Sequence, residues 1–248
     1  MQRNTPRLRT KLYTIVSLTC IAVIGTGAIL PCAASPNFHS LLSISALAQA
    51  DKTSNPLLPL RGTWNEVILG LGKLDGIACS DQARFVATSG AAGVFLWDGF
   101  EGDLLKVFHK HTGRAVALAF TPDGTALAAG DVKGETRIYN VETGEEMQVL
   151  AGHETSVNAV TFSADRKYLL TGSSDKTARL WDVETGQGIR SYQGHKFDVT
   201  SVAFSPEGTY VLTGSSDSTA KLWIRETGRM VQTFSGHGSA LLAVGFSS

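Results

Sequence analysis

The chain has 248 residues, of which 43% are hydrophobic and 18% charged, and its 22 basic residues equal its 22 acidic ones. That length supports one or two domains with a real core. All four basic side chains of residues 1–50 (Arg3, Arg7, Arg9, Lys11) precede an acid-free stretch, so the remainder holds 18 bases against 22 acids and is not expected to offer a basic face to nucleic acid.

The first fifty residues read as targeting. A basic start leads into an uncharged, mostly apolar run from Leu12 to Leu30, and Ala48-Gln49-Ala50 has the small-x-small form of a signal-peptidase site. The run is also long enough to cross a bilayer as a helix, so an uncleaved anchor is the other reading. Either way the basic end stays inside and the body is exported, to the periplasm, the cell envelope or the medium, with membrane contact only through this segment. Cys20 and Cys32 lie in the leader. Cys79 is then alone in the body, where it cannot form an intrachain disulfide, and it is expected as a small buried apolar residue on a strand.

Residues 51–62 read as a linker that contains Pro56 to Gly62. From there to residue 248 the chain repeats. Trp97, Tyr139, Trp181 and Trp223 follow one another at intervals of 42, as do His111, His153, His195 and His237. His153–Gly194 and His195–Gly236 share 20 of 42 positions without a gap. Within a unit, Val157–Phe162 and Tyr168–Thr171 are β-branched and aromatic runs separated by the turn chemistry of Ser163 to Arg166. Ser174-Asp175-Lys176 is a tight turn, Thr177–Val183 a third strand, Glu184-Thr185-Gly186 a hairpin loop and Ile189–Gln193 a fourth strand. A four-stranded sheet is too small to bury both faces alone, so the units, at about 72–108, 112–151, 156–193 and 198–235, are expected to stack. Leu241–Phe246 is expected to open a fifth within 240–248.

Gly152-His153 with Trp181-Asp182, and Gly194-His195 with Trp223, resemble the GH…WD pattern of WD40 repeats. The resemblance covers about residues 63–248 and implies an all-β propeller of four four-stranded antiparallel blades plus one extra strand. Its first two units depart from the pattern: one keeps only Trp97-Asp98, and the next has Lys110-His111 and Tyr139-Asn140. WD40 rings usually have about seven blades, so this ring is expected to be incomplete. Three readings stay open: a fragment of a larger propeller, closure by self-association or with another chain's blades, and a distorted small ring. Residues 56–62 match the strand that closes such rings.

His153, Thr171, Asp175 and Trp181 hold the parts of a nucleophilic triad. The same set returns as His195, Thr213, Asp217 and Trp223, whereas an active site is normally built once. The resemblance implies a hydrogen-bonded tetrad that braces each blade. Read at the 42-residue interval, the second unit has Ala129 and Lys133 at the threonine and aspartate positions, and the first has Ala87 and Ala91.

Gly70-Leu71-Gly72-Lys73 lacks P-loop spacing, and His109 with His111 has no third metal ligand. No catalytic, cofactor or metal site is expected. In WD40 proteins the blade-to-blade loops and the turns between second and third strands form the usual partner face. Here that implies Trp64, Glu154, Lys196 and Phe197 from the loops, and Lys176 and Ser218 from the turns, with Phe197 and Trp64 as anchors. The expected function is a non-catalytic protein–protein interaction scaffold. The alternatives are a fragment of a larger WD40 protein, and a propeller enzyme or envelope-polymer-binding module.

Overall fold

The computed structural model describes residues 74–247 apart from His109, and within them every element except one short 3-10 turn, Asp81–Ala83, is a β-strand. The leader, the 51–62 linker, Trp64 and the 70–73 glycine segment lie outside the described residues. The first sheet holds β1 (Leu74–Cys79), β2 (Phe85–Gly90), β3 (Gly93–Asp98) and β4 (Leu104–Phe108). The second holds β5 (Ala115–Phe120), β6 (Ala126–Asp131), β7 (Glu135–Asn140) and β8 (Glu146–Ala151). The third holds β9 (Val157–Phe162), β10 (Tyr168–Ser173), β11 (Thr177–Asp182) and β12 (Gly188–Gln193). The fourth holds β13 (Val199–Phe204), β14 (Tyr210–Ser215), β15 (Ala220–Ile224) and β16 (Met230–Phe234). Each sheet is an antiparallel meander in chain order. This is the four-stranded blade of a β-propeller.

Burial explains why the middle strands are apolar at successive positions. Leu169 packs against the second sheet and its neighbour Leu170 against the fourth, and both are fully buried. A strand covered on both faces cannot alternate polar with apolar residues. Three apolar layers result, one between each pair of successive sheets. The outer strands escape this constraint: β8 alternates half-buried and exposed positions until Leu150 turns into the layer.

The first strands β1, β5, β9 and β13 lie side by side, and glycines let them approach. A Cβ on Gly172 would stand 2.7 Å from Cγ1 of Val199, and one on Gly130 2.6 Å from Cγ1 of Val157. Valine therefore fills the space that glycine leaves on the preceding sheet. The first sheet exchanges the two sizes. Ser89 occupies the position of Gly130 and Gly172, while Gly76, opposite it, replaces Ala117 and Ala159.

Two expectations need correction. Leu241–Phe246 forms no strand, because among the described residues no neighbouring chain offers it a ladder. It still docks where a fifth first strand would lie. Leu241 N–H donates to Ser215 O at 3.0 Å, and a Cβ on Gly214 would lie 2.6 Å from Cγ1 of Val244. Cys79 is on a strand as expected but only half-buried. It holds the position of Phe120, Phe162 and Phe204, and the smaller side chain leaves an open cleft of about 340 Å³ bounded by Asp81, Thr121 and Phe162.

Candidate functional site

In the third sheet, β10 and β11 place Thr171 opposite Arg179, two residues before Trp181, so the hydroxyl and the indole meet on one face. Trp181 Nε1–H donates to Thr171 Oγ1 at 2.9 Å, and Thr171 Oγ1 lies 2.7 Å from His153 Nε2. His153 Nδ1 lies 2.7 Å from Asp175 Oδ2. The fourth sheet repeats this: Trp223 to Thr213 at 2.9 Å, Thr213 to His195 at 2.7 Å, His195 to Asp217 at 2.9 Å.

Donor and acceptor capacity fixes the proton order. An ionised carboxylate only accepts, so His153 Nδ1 carries the proton and Nε2 accepts from Thr171, whose oxygen then receives the indole N–H. Every polar atom of the chain is matched. Burial pushes the His153 and His195 imidazoles below their ordinary value, against the opposing pull of Asp175 and Asp217. Burial would by itself raise the Asp175 carboxyl, but bonds from Thr177 and His153 outweigh it and hold the group low. Asp217 is held low in the same way, by Thr219, the Lys196 amide and His195.

This arrangement lacks access. Thr171 is fully buried, and the His153 side chain is 1% exposed. A hydroxyl enclosed between an imidazole and an indole has no path to a substrate carbonyl, although the same three groups in an open cleft would be a nucleophile and its base.

The first two sheets depart from the pattern differently. In the first, Trp97 Nε1–H donates to Thr88 Oγ1 at 2.8 Å. Reading at a fixed interval selected Ala87 and missed Thr88. The turn joining β2 to β3 holds only Ala91 and Ala92 between the paired Gly90 and Gly93, one residue fewer than in the third sheet. That shortening moves Thr88 opposite Phe95, two residues before Trp97. The glycine-flanked turn was the available signal.

In the second sheet both His111 nitrogens and the Tyr139 hydroxyl are buried with no hydrogen-bond partner among the described residues. Ala129 stands where a threonine would join them. Burial lowers the His111 imidazole and raises the Tyr139 hydroxyl. Asp131, at the position of Ser173, takes over the turn: its oxygens accept from the amides of Lys133 at 2.9 Å, Glu135 at 3.0 Å and Gly113 at 3.1 Å.

The turns between second and third strands and the loops entering the first strands share one end of the sheets. Val132 N–H donates to Arg114 O at 3.0 Å, Ser174 N–H to Ser156 O at 2.9 Å and Ser216 N–H to Asp198 O at 2.9 Å. Ser174 Oγ also reaches Asp198 Oδ2 of the next sheet at 3.0 Å. Glu154, Lys176, Lys196 and Phe197 are all exposed here, Phe197 to 58%, and Ser218 is half-buried. Lys176 (φ +72°) and Ser218 (φ +66°) hold left-handed backbone at the turn position where the second sheet has Gly134.

Residues 102–140, 144–182 and 186–223 each match the family model described as "WD domain, G-beta repeat". These segments resemble WD40 repeats. The three matches cover most of the second, third and fourth sheets and begin at the end of the first. A stretch of 74 residues, 29% of the chain, is 34% identical to the guanine nucleotide-binding protein subunit beta of Oryza sativa subsp. japonica, and covers 20% of that protein. A stretch of the same length is 38% identical to human apoptotic protease-activating factor 1 and covers 6% of it. The chain thus spans a fifth or less of these relatives. The three matches and the four antiparallel sheets agree on an architecture of propeller blades.

Proposed function

We propose that this chain is a non-catalytic scaffold that holds other proteins on one end of its WD40 blades. One observation carries the reading: the His–Thr–Trp–Asp chain is built twice, 42 residues apart, and is closed to solvent both times, while the adjoining end exposes Phe197 and several charged side chains. A sealed and repeated network acts as internal bracing, because each buried donor requires a partner. An exposed aromatic among polar groups is the usual centre of a protein interface. Glu154, Lys176, Lys196, Phe197 and Ser218 form the contact set on this reading, with Trp64 as a further contact outside the described residues. The relative named as a G-protein beta subunit, itself a subunit of an assembly, supports the same class. Export to the cell envelope through residues 1–50, cleaved or retained as an anchor, completes the proposal.

Affinity capture of the full chain from its own cells, with the wild type and Phe197→Ala in parallel, tests it. Partners retained by the first and lost by the second are the expected result. A measurable reaction abolished by Asp175→Ala with thermal stability unchanged would overturn it. Fractionation of the tagged chain tests export.

A second reading concerns closure. Phe234 is 49% exposed, whereas Leu150 and Tyr192, at the same position of the second and third sheets, are 1% exposed. The outer part of the fourth sheet's far face, beyond the docked 241–247 segment, is therefore uncovered among the described residues, which supports an incomplete ring completed by further blades, including those of a second copy. Sedimentation at increasing concentration distinguishes a self-associating chain from a monomer.

A further inference from the structure

The two ends of the stacked sheets differ in charge. Among the described residues, the exposed charged side chains on the end that carries Phe197 are Lys110, Lys133, Lys176 and Lys196, with Arg114 paired to Asp75 at 3.4 Å, against Glu154. The other carboxylates of that end are turned inward and occupied. Asp131 takes the Gly113 amide, Asp175 the Glu154 amide at 3.3 Å, Asp217 the Lys196 amide at 2.9 Å, and Asp198 the Ser174 hydroxyl. The opposite end, built from the hairpins between first and second and between third and fourth strands, exposes Asp103, Asp123, Glu142, Glu145, Glu184 and Glu226. Its exposed cations, Arg84, Arg166, Lys167 and Arg229, are fewer, and Arg166 is already paired with Asp123 across two sheets.

We infer that the Phe197 end docks an acidic protein segment, with an apolar side chain of the segment seated on Phe197. This deepens the scaffold reading above and rests on it. Cations on successive blades, Lys133, Lys176 and Lys196, give a negatively charged chain repeated points of attraction, and the acidic far end repels the same chain, so orientation follows from charge. A protein segment fits better than a polynucleotide. Glu154 interrupts the cations, which stand singly on separate loops rather than as a continuous track, and the central side chain is apolar.

The full chain is titrated against three fluorescein-labelled peptides, each with one leucine flanked by glutamates, serines or lysines, with fluorescence anisotropy as the readout. An oligothymidylate and phosphatidylcholine–phosphatidylglycerol vesicles serve as competing anions. The acidic peptide binds tightest and weakens as salt is raised. Lys176→Glu with Lys196→Glu lowers its affinity by about tenfold and favours the lysine peptide. Phe197→Ala removes the benefit of the leucine, and Arg229→Glu on the far end changes nothing. Equal binding of the three peptides, a preference for the basic one, indifference to the double variant, or tighter binding of the oligonucleotide or the vesicles overturns the inference. If affinity capture yields partners that need Phe197 but engage it through neutral or basic segments, the acidic partner falls and the scaffold stands.

Discussion

Trp97 donates its indole N–H to Thr88 at 2.8 Å, although strict 42-residue spacing assigns the neighbouring Ala87 to the threonine position. The first sheet therefore keeps half of the bracing network by shortening one turn. Thr88→Val should destabilise the chain by about 1–2 kcal/mol, since this hydrogen bond to the indole is then lost. Ala87→Ser, at the position that spacing alone selects, should recover none of it. Urea unfolding of both variants checks the pair of outcomes.

In the second sheet the Tyr139 hydroxyl is buried with no partner among the described residues. Removing it should help: Tyr139→Phe is expected to raise stability by about 1 kcal/mol, because an unmatched polar group leaves the interior. Thr171→Val in the third sheet should do the reverse and cost about 1–3 kcal/mol, as it strands both an indole and an imidazole. A Tyr139→Phe variant that unfolds at lower urea than the wild type would show the hydroxyl to be satisfied in solution.

Buried glycine makes a third case. At Gly172 a Cβ would come within 2.7 Å of Val199 and 2.9 Å of Val202. Gly172→Ala should cost about 1–3 kcal/mol through overpacking between the third and fourth sheets. Adding Val199→Ala should return part of that loss. If the double variant behaves as the sum of the two single ones, the contact is not the cause.

Stability should fall in mild acid. His111, His153 and His195 all have folded values below the ordinary 6.5 of an unfolded imidazole, chiefly through burial. The unfolded chain therefore takes up protons first. The histidine contribution is fully present above about pH 6.5 and is lost as pH drops through that value towards the lower folded ones. Asp175 and Asp217 add a second, more acidic loss: their folded values lie below the ordinary 3.8, so their contribution is present above it and disappears as pH falls through the folded values. Unfolding midpoints at neutral pH and at about pH 5.5 should differ, and His153→Gln with His195→Gln should flatten that dependence.

Lys176 holds left-handed backbone where the second sheet uses Gly134. Lys176→Gly should be neutral to stabilising by up to about 1 kcal/mol, since glycine adopts this conformation without the Cβ clash. Thermal unfolding measures it. The same variant should weaken the acidic peptide, which separates the side chain's role from its backbone strain.

The 42-residue interval, the four strands per unit, and the threonine, histidine, aspartate and tryptophan of the third and fourth sheets were all legible in the chain itself. Periodicity and turn chemistry are local, and a repeated unit reports its own pattern several times over. Register between strands is not local. Only the folded sheet put Thr88 opposite Phe95, exchanged the roles of Gly76 and Ser89, and handed the second sheet's turn to Asp131. It also left 241–247 docked but without a ladder, because a strand requires a neighbour as well as a sequence suited to one. The same limit applies to the surface. The charges could be counted along the chain, but stacking decided that lysines from separate loops share one end with Phe197 while most exposed carboxylates face the other.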